Sequence, residues 1–499
     1  MAKVDGQAVK RVVIAGGGTA GWTVAAALAR QLGPLLEITL VESDAIGTVG
    51  VGESTIPTAR RFHELLGVDE RDFVCATQAS FKLGISFEDW ARVGDRYFHA
   101  FGVTGQSTWM AEFHHLWLQA HEQGLAKDFG EYCFELRAAE AGKFLGGKDS
   151  RLNYAYHLDA TAYGQYLRRF AEPLGVKRVE GKIAEVRLAP ETGFIEALVL
   201  ESGEAVAGDL FIDCTGFRAL LIEGALETGY DDWAHWLPTD SAIAVQTEAT
   251  GPARPYTRAI AHKAGWQWQI PLQRRVGNGL VFCSRHISDD EAHAMLAERV
   301  EGEMLTEPRL IRFRAGSRRK AWNKNCVAMG LASGFIEPLE STSIHLIMIA
   351  VTRLMQLFPF GGVNEALATR YNEVSQRELD GIRDFIILHY HLTERDEDPF
   401  WRECRAMEIP GTLAQRVALF RDGAYAYQAA DELFRTDSWV QVMLGQRLLP
   451  RSHHAIGGLM PPEQLRDALA SMKSNIDSAV ARLPQHQAFL DGFCGSPGG

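Results

Sequence analysis

The chain has 499 residues, 46% of them apolar and 23% charged. At roughly 150 residues per domain, that length fits about three domains or one large cofactor-binding enzyme body, and the composition excludes global disorder. Acidic residues outnumber basic ones 63 to 51, for a formal charge of −12; a field of that sign repels polyanions, so nucleic acid is not an expected partner.

The opening segment MAKVDGQAVKRVVIAGGG offers only Val12 to Ala15 as an apolar run before its glycines. An export signal needs roughly 7–15 such residues. The most apolar helical stretch, Ser343 to Phe358, is interrupted by His345 and Arg353 and falls short of the roughly 20 residues that cross a bilayer. A soluble, cytoplasmic protein with no membrane partner is expected. The seven cysteines, at positions 75, 133, 214, 283, 326, 404 and 494, form no C-x-x-C pair and no zinc-like spacing, which speaks against a disulfide framework and against a metal site.

Lys10 to Ala15 is a β-branched run ending in Gly16-Gly17-Gly18, and Thr19 to Leu32 continues as an alanine-rich helix stopped by Gly33-Pro34. A second strand, Glu37 to Val41, leads to Glu42. This strand, glycine turn, helix, strand order is a βαβ unit with the spacing G16-G-G18-T-A-G21. Gly16 permits the tight turn, Gly18 lets the backbone approach a pyrophosphate, and Gly21 allows the helix to pack on the strand. The helix N-terminus then offers free N–H groups to the phosphates, and Glu42 is placed to accept from an unphosphorylated ribose. On these residues alone FAD and NAD both remain open. No second GxGxxG occurs, so the chain holds one dinucleotide.

Asp209 to Thr215 and Asn325 to Met329 have the same buried-strand character and are expected in the first sheet. Between them, Trp266 to Pro271 and Gly279 to Ser284 suggest a second, largely antiparallel sheet inserted into the fold. From about Asn364 the pattern is helical to the end. The expected division is therefore a discontinuous dinucleotide-binding body with its inserted sheet over 1–363, and a helical C-terminal module over 364–499. His114-His115 and His389-Tyr390-His391 lack matched partners at ligand spacing and read as structural.

Three further places carry chemistry with a bland alternative beside it. Lys82 interrupts the apolar stretch Ala79 to Ile85: such a lysine commonly snorkels to the surface, and otherwise it is a desolvated amine. Trp266 and Trp268 alternate in WQWQIP, so both indoles face one side of a strand, as core residues or as a ligand wall. Glu340-Ser341-Thr342-Ser343 opens the apolar run from Ile344. It reads either as ordinary capping by Ser341 or Thr342, or as a helix N-terminus that takes an anion such as a halide.

Taken together, GGGTAGW at 16–22, VGESTIP at 51–57, FKLGI at 81–85, FIDCTGFRALLI at 211–222, WQWQIP at 266–271 and GFIEPLEST at 334–342 resemble the flavin-dependent tryptophan halogenase family. They span about 330 residues in order. The resemblance implies an α/β fold of the FAD-binding Rossmann type, like glutathione reductase and the aromatic hydroxylases. It also implies a two-component enzyme in which FADH2 from a separate flavin reductase, O2 and halide (chloride or bromide) give hypohalous acid, which halogenates an electron-rich aromatic.

Lys82 matches the family's lysine that handles the hypohalous acid, and Glu340 its glutamate in ring substitution. Thr342 and Ser343 match the halide site. Gly18, Thr19, Ala20, Glu42, Glu53, Ile183, Leu331 and Ile344 fall at flavin positions. His99 and Phe101 resemble residues lining the indole pocket, and Trp266 and Trp268 those that keep substrate from flavin. A homodimer is a family expectation.

Two departures matter. Ser343 stands where free-tryptophan halogenases usually have glycine, which leaves the halide preference open. The paired-tyrosine, glutamate and Phe-Trp segment that grips the amino acid has no match between Phe420 and Trp439. Indole or an indole derivative is therefore the expected substrate rather than free tryptophan. The rival readings are a flavin-dependent hydroxylase and a flavin-binding protein without turnover.

Overall fold

The computed structural model describes residues 8–47, 52–147 and 150–495; Val51 of VGESTIP and the tail beyond Gly495 lie outside them. The chain forms two compact units. One comprises residues through Ala79, Leu158–Pro238 and Arg312–Leu379, and the other Ser80–His157, Thr239–Ile311 and the residues from Asp380 onward.

The first unit is organised by a six-stranded sheet in the order Trp322–Asn323, Cys326–Ala328, Leu210–Asp213, Arg11–Ala15, Glu37–Glu42, Lys177–Glu180. All neighbours run parallel except the first pair. Strands covered on both faces need continuous apolar runs, and Val12 to Ala15 and Leu210 to Ile212 are buried throughout. Both later segments expected in this sheet join it, with Val13 opposite Phe211 and Phe211 opposite Cys326. The helix Thr19–Leu32 follows the first strand and is buried from Gly21 to Ala29. A hydrophobic core including Val13, Val41, Leu198, Phe211 and Ala328 lies on the sheet, with the small antiparallel sheet of Ile183–Leu188, Ile195–Leu200 and Ala205–Ala207 packed on it.

The second unit contains the expected inserted sheet. It has seven strands in the order Arg309–Arg312, Ser241–Glu248, Arg275–Phe282, Gly265–Pro271, Thr257–His262, Gly84–Glu88, Arg96–Ala100. Thr257–His262 pairs parallel with Gly84–Glu88, whereas its pairing with Gly265–Pro271 and the next pairing with Arg275–Phe282 are antiparallel. Beyond Asn364 the elements are helical, beginning with Glu365–His391.

The helical onset therefore falls where the pattern placed it, but the compact units do not change at 363/364. They change within that 27-residue helix, and the inserted sheet groups with the later helices. A continuous helix carries no local composition shift at the point where its packing partners change. Among the described residues no helix is long and apolar enough to cross a membrane.

Candidate active site

In the first unit the glycine turn joins strand Arg11–Ala15 to helix Thr19–Leu32. Gly16 adopts φ +103°, and a Cβ there would sit 2.3 Å from the carbonyl oxygen of Cys214. A Cβ on Gly21 would come within 1.8 Å of the Gly16 carbonyl oxygen, so the first and third glycines are set by backbone contact alone. Gly18 is the N-cap, with no side-chain cap, no acid in the first helical turn, and open space where its Cβ would be. A helix start without a side-chain cap among the described residues, with the positive end of the helix dipole behind it, fits a dinucleotide pyrophosphate.

Glu42 ends the second strand, and its carboxylate lies directly over Gly17. It accepts from Trp22 Nε1 at 3.3 Å and from Arg178 Nε at 2.6 Å. Arg178 also binds Asp44 and Glu180, so this guanidinium is shared among three carboxylates. Spacing after the glycines pointed to Glu42 but gave no signal for Arg178.

Around the turn, Thr19 Oγ1 donates to Ala160 O at 3.3 Å. The short helical turn Gly330–Ala332, which carries Leu331, lies against Ala20: a Cβ on Gly330 would meet the Ala20 Cβ at 2.9 Å. Ile344 is buried in helix Ser343–Gln356, which packs on helix Thr19–Leu32. Ile183 packs against the core that holds Val41 and Val179. Glu53, on the short strand Gly52–Ser54, has its carboxyl pushed up to about 7 by desolvation.

The segment before helix Ser343–Gln356 has an unusual backbone. Glu340 (φ 65°, ψ 0°) and Ser341 (φ 61°) are consecutive non-glycine residues in the left-handed region, at about 1–2 kcal/mol each. Glu340 and Thr342 are buried. Thr342 is the N-cap, yet its hydroxyl makes no cap bond, and the first turn carries no acid. Ordinary capping is thus not what the Thr342 hydroxyl does, and the first-turn N–H groups keep their capacity for an anion.

Side chains from residues 54–58 tie down this segment. Ser341 Oγ and Ser54 Oγ are hydrogen-bonded at 2.5 Å. His345 Nδ1 pairs with Thr58 Oγ1 at 2.9 Å while its Nε2 faces Glu378 at 3.2 Å, and Arg353 donates to the same carboxylate at 2.7 Å. Desolvation works to raise the Glu378 carboxyl, but His345 and Arg353 outweigh it and hold it below the usual carboxylate range.

In the second unit, Lys82 ends the strand Ser80–Lys82, opposite Ala155. Its side chain is wholly buried, so it does not snorkel, and its ammonium lies 5.3 Å from the centroid of the Phe101 ring, within cation–π range. His157, opposite Ser80, pairs with Ser80 Oγ and Thr257 Oγ1. Desolvation first, then the charge of Lys82, hold its imidazole well below the usual histidine range, so a neutral histidine accompanies the buried ammonium. Nothing local marks His157; only the strand register does.

His99 and Phe101 are brought to the same place as Lys82. His99 pairs with Ile85, and Phe101 N donates to Leu83 O at 2.9 Å. The His99 ring lies 5.4 Å from Phe385 and 6.0 Å from Phe434, which stack on each other at 3.8 Å, with Trp439 4.9 Å from Phe385. Polar side chains secure the strand behind these rings. Gln441 accepts from Ala100 N at 2.7 Å, while Asn153 and Arg435 both donate to the Phe101 carbonyl. Phe385, Phe434 and Trp439 sit on segments roughly 300 residues away in sequence and were missed.

Trp266 and Trp268 face the same side of their strand, as alternation predicted, with ring centroids 6.2 Å apart. Trp266 packs on Trp90, which also meets Tyr390 and Trp401, so it belongs to an aromatic core. The buried Trp268 Nε1 has no hydrogen-bond partner among the described residues. His114 and His389 are structural, bonded to the Ala424 carbonyl and to Tyr97 Oη.

A dinucleotide cradle and a strained glutamate turn in one unit, and a buried lysine against Phe101 in the other, are the features of a dinucleotide-dependent enzyme. The tryptophan halogenase family profile matches residues 11–462. The chain is 37% identical over 444 residues to a tryptophan 6-halogenase of Streptomyces toxytricini, covering 82% of this chain and 83% of that one. Its fold is similar to a flavin-dependent halogenase from Xanthomonas campestris (52% identity, TM-score 0.97, 99% and 100% of the two chains). It is also similar to one from Brevundimonas sp. BAL3 (45%, 0.93, 97% and 99%). The chain belongs to the tryptophan halogenase family. It is a flavin-dependent halogenase that uses FADH2, O2 and halide, and the hydroxylase alternative is set aside.

Proposed function

We propose that this halogenase acts on indole or an indole derivative in preference to free tryptophan. The observation supporting this is the set of side chains around His99 and Phe101. Phe385 and Phe434 face the His99 ring, and Arg435, Asn153 and Gln441 each bond the backbone of the 100–101 segment. A zwitterionic amino acid in such surroundings leaves charge unpaired, at several kcal/mol.

FADH2 and O2 supply the oxidant that turns halide into hypohalous acid. Gly16, Gly18, Thr19, Ala20, Gly21, Glu42, Glu53, Ile183, Leu331 and Ile344 hold the flavin nucleotide. The N–H groups at Thr342 and Ser343 hold the halide. Lys82 donates a charged hydrogen bond to the hypohalous acid and orients its halogen toward the ring, the ammonium being fixed by burial and by Phe101. Glu340 draws the ring proton during substitution. His99 and Phe101 sandwich the aromatic, and Trp266 with Trp268 keeps it from the flavin.

The flavin-binding body is the unit of residues through Ala79, Leu158–Pro238 and Arg312–Leu379, and the inserted sheet with the helices from Asp380 onward carries the substrate side. A separate reductase supplies FADH2, the chain works in the cytoplasm, and it assembles as a homodimer. The test is a competition between indole and tryptophan with bromide or chloride and a generic flavin reductase. Indole is expected to be halogenated at least as fast. A preference for tryptophan beyond about tenfold, or roughly 1.4 kcal/mol, overturns the substrate reading.

A further inference from the structure

We infer that Ser54 is a positioning residue for halogenation: through Ser341 it holds the Glu340–Ser341 turn in its left-handed conformation. The inference rests on the proposed roles of Glu340 and of the N–H groups at 342–343. Two adjacent non-glycine residues at φ 65° and 61° persist only where their surroundings over-determine them.

Beside the backbone bond from Ser341 N to Pro338 O at 3.1 Å, two side-chain hydrogen bonds reach the turn and helix start from one segment. Ser54 Oγ reaches Ser341 Oγ at 2.5 Å, and four residues on, Thr58 Oγ1 reaches His345 at 2.9 Å. The segment 54–58 thus grips 341–345 on both sides of the helix start, with the His345 imidazole backed by Glu378 and Arg353. The Thr58 tie acts one turn inside the helix, where the backbone is regular. The Ser54 tie acts on a left-handed residue, directly beside Glu340. Both serines are buried, so water does not readily replace a lost hydroxyl.

Ser54 is also the residue after Glu53 on the strand Gly52–Ser54. The same short strand therefore carries a proposed flavin-side carboxyl and the hydroxyl that fixes the turn. Relaxing the turn displaces Glu340 and re-aims the 342–343 N–H groups without removing any reacting group. With the halide N–H groups mis-aimed, less halide is oxidised and the two electrons of FADH2 reduce O2 to hydrogen peroxide instead, while any hypohalous acid that does form and misses the ring leaves unreacted.

The experiment compares Ser54→Ala, Ser341→Ala, the double variant and Ser54→Thr. It measures halogenated indole and hydrogen peroxide per FADH2 consumed, together with FAD affinity and Tm. The ratio of product to peroxide is expected to fall about fivefold in each alanine variant, the factor equivalent to roughly 1 kcal/mol for one lost hydrogen bond. The double variant should fall no further than the singles, FAD affinity should hold, and Ser54→Thr should recover most of the ratio.

A purely structural serine lowers Tm and leaves that ratio alone; that outcome overturns the inference. So does an unchanged ratio, or additive losses in the double variant. Glu340→Gln serves as the separate control. If it halogenates normally, the assigned role of Glu340 fails, whatever the serine variants show. If it is inactive and Ser54→Ala is normal, only the role of Ser54 fails.

Discussion

Replacing Lys82 separates flavin chemistry from halogen transfer. Lys82 is wholly buried, with its ammonium against Phe101. In the proposed mechanism it acts after the flavin has been oxidised. A hydrogen bond from a charged donor contributes about 1.5–3 kcal/mol, or roughly 10- to 150-fold in rate, and positioned acid catalysis supplies about 10²–10⁴. Loss of the amine should therefore lower halogenation at least about 100-fold.

Lys82→Met is the sharper variant, because methionine nearly fills the lysine volume and keeps the packing around Phe101. Lys82→Ala should be equally inactive but less stable, because it leaves a cavity. Lys82→Arg should also fail, since a guanidinium has different reach and donor geometry. The assay counts halogenated indole by mass spectrometry and peroxide by a coupled peroxidase, with FADH2 supplied by a generic reductase. FADH2 should be consumed at the parental rate, with its oxidising equivalents recovered as free hypohalous acid or peroxide rather than as halogenated indole. A folded, FAD-binding Lys82→Met protein that halogenates within about threefold of the parent, under 1 kcal/mol of barrier, refutes the reasoning.

NADH and FAD without a reductase should give no product, and adding any flavin reductase should restore it; turnover from NADH alone would show that the chain reduces its own flavin. Buried His63 and His115 are pushed down to about 3, and His262 and His486 to about 4, desolvation leading in each case. The unfolded chain therefore binds more protons than the native one below the ordinary value of 6.5. Stability should fall as pH drops from about 6.5 toward 4, by up to about 1.4 kcal/mol per pH unit for each histidine kept neutral, and a Tm flat over that window would contradict it. Gly17→Ala places a Cβ 1.5 Å from Glu42 Oε2, which must displace that carboxylate at about 1–3 kcal/mol; FAD affinity measured by fluorescence should fall at least about tenfold, and unaltered affinity would detach Glu42 from the nucleotide. Ser343 lies outside the left-handed region, so Ser343→Gly should leave the fold intact while changing the bromide-to-chloride product ratio by more than about threefold; a constant ratio removes the Ser343 side chain from the halide site.

The first sheet was legible because its strands are buried on both faces. Arg11–Ala15, Glu37–Glu42, Leu210–Asp213 and Cys326–Ala328 each read as short continuous apolar runs, and each pairs parallel with a neighbour. The dinucleotide cradle was legible because its glycines answer to backbone contacts between residues close in sequence. Lys82 was not legible on local grounds: an apolar run with one lysine looks the same whether the amine reaches water or lies sealed under Phe101. The motif resemblance, not the pattern, favoured burial. Phe385 and Phe434 come from the helical region, where an aromatic on an apolar face gives no sign of which core it joins.

The turn at Glu340 shows why such a site escapes a reading based on propensity. Small hydroxyl residues before an apolar helical run are the usual mark of a cap, and GFIEPLEST was open to that reading. The chain spends those hydroxyls differently: Ser341 binds Ser54, and Thr342 leaves the helix start uncapped. No glycine supplies the two positive φ angles, so local preference and tertiary structure disagree here, and it is the distant segment 54–58 that reconciles them. A local conflict resolved by long-range ties is where function is expected to sit, because only a packed native state maintains it. Here it also brings a buried carboxylate and a set of uncapped N–H donors within a four-residue span.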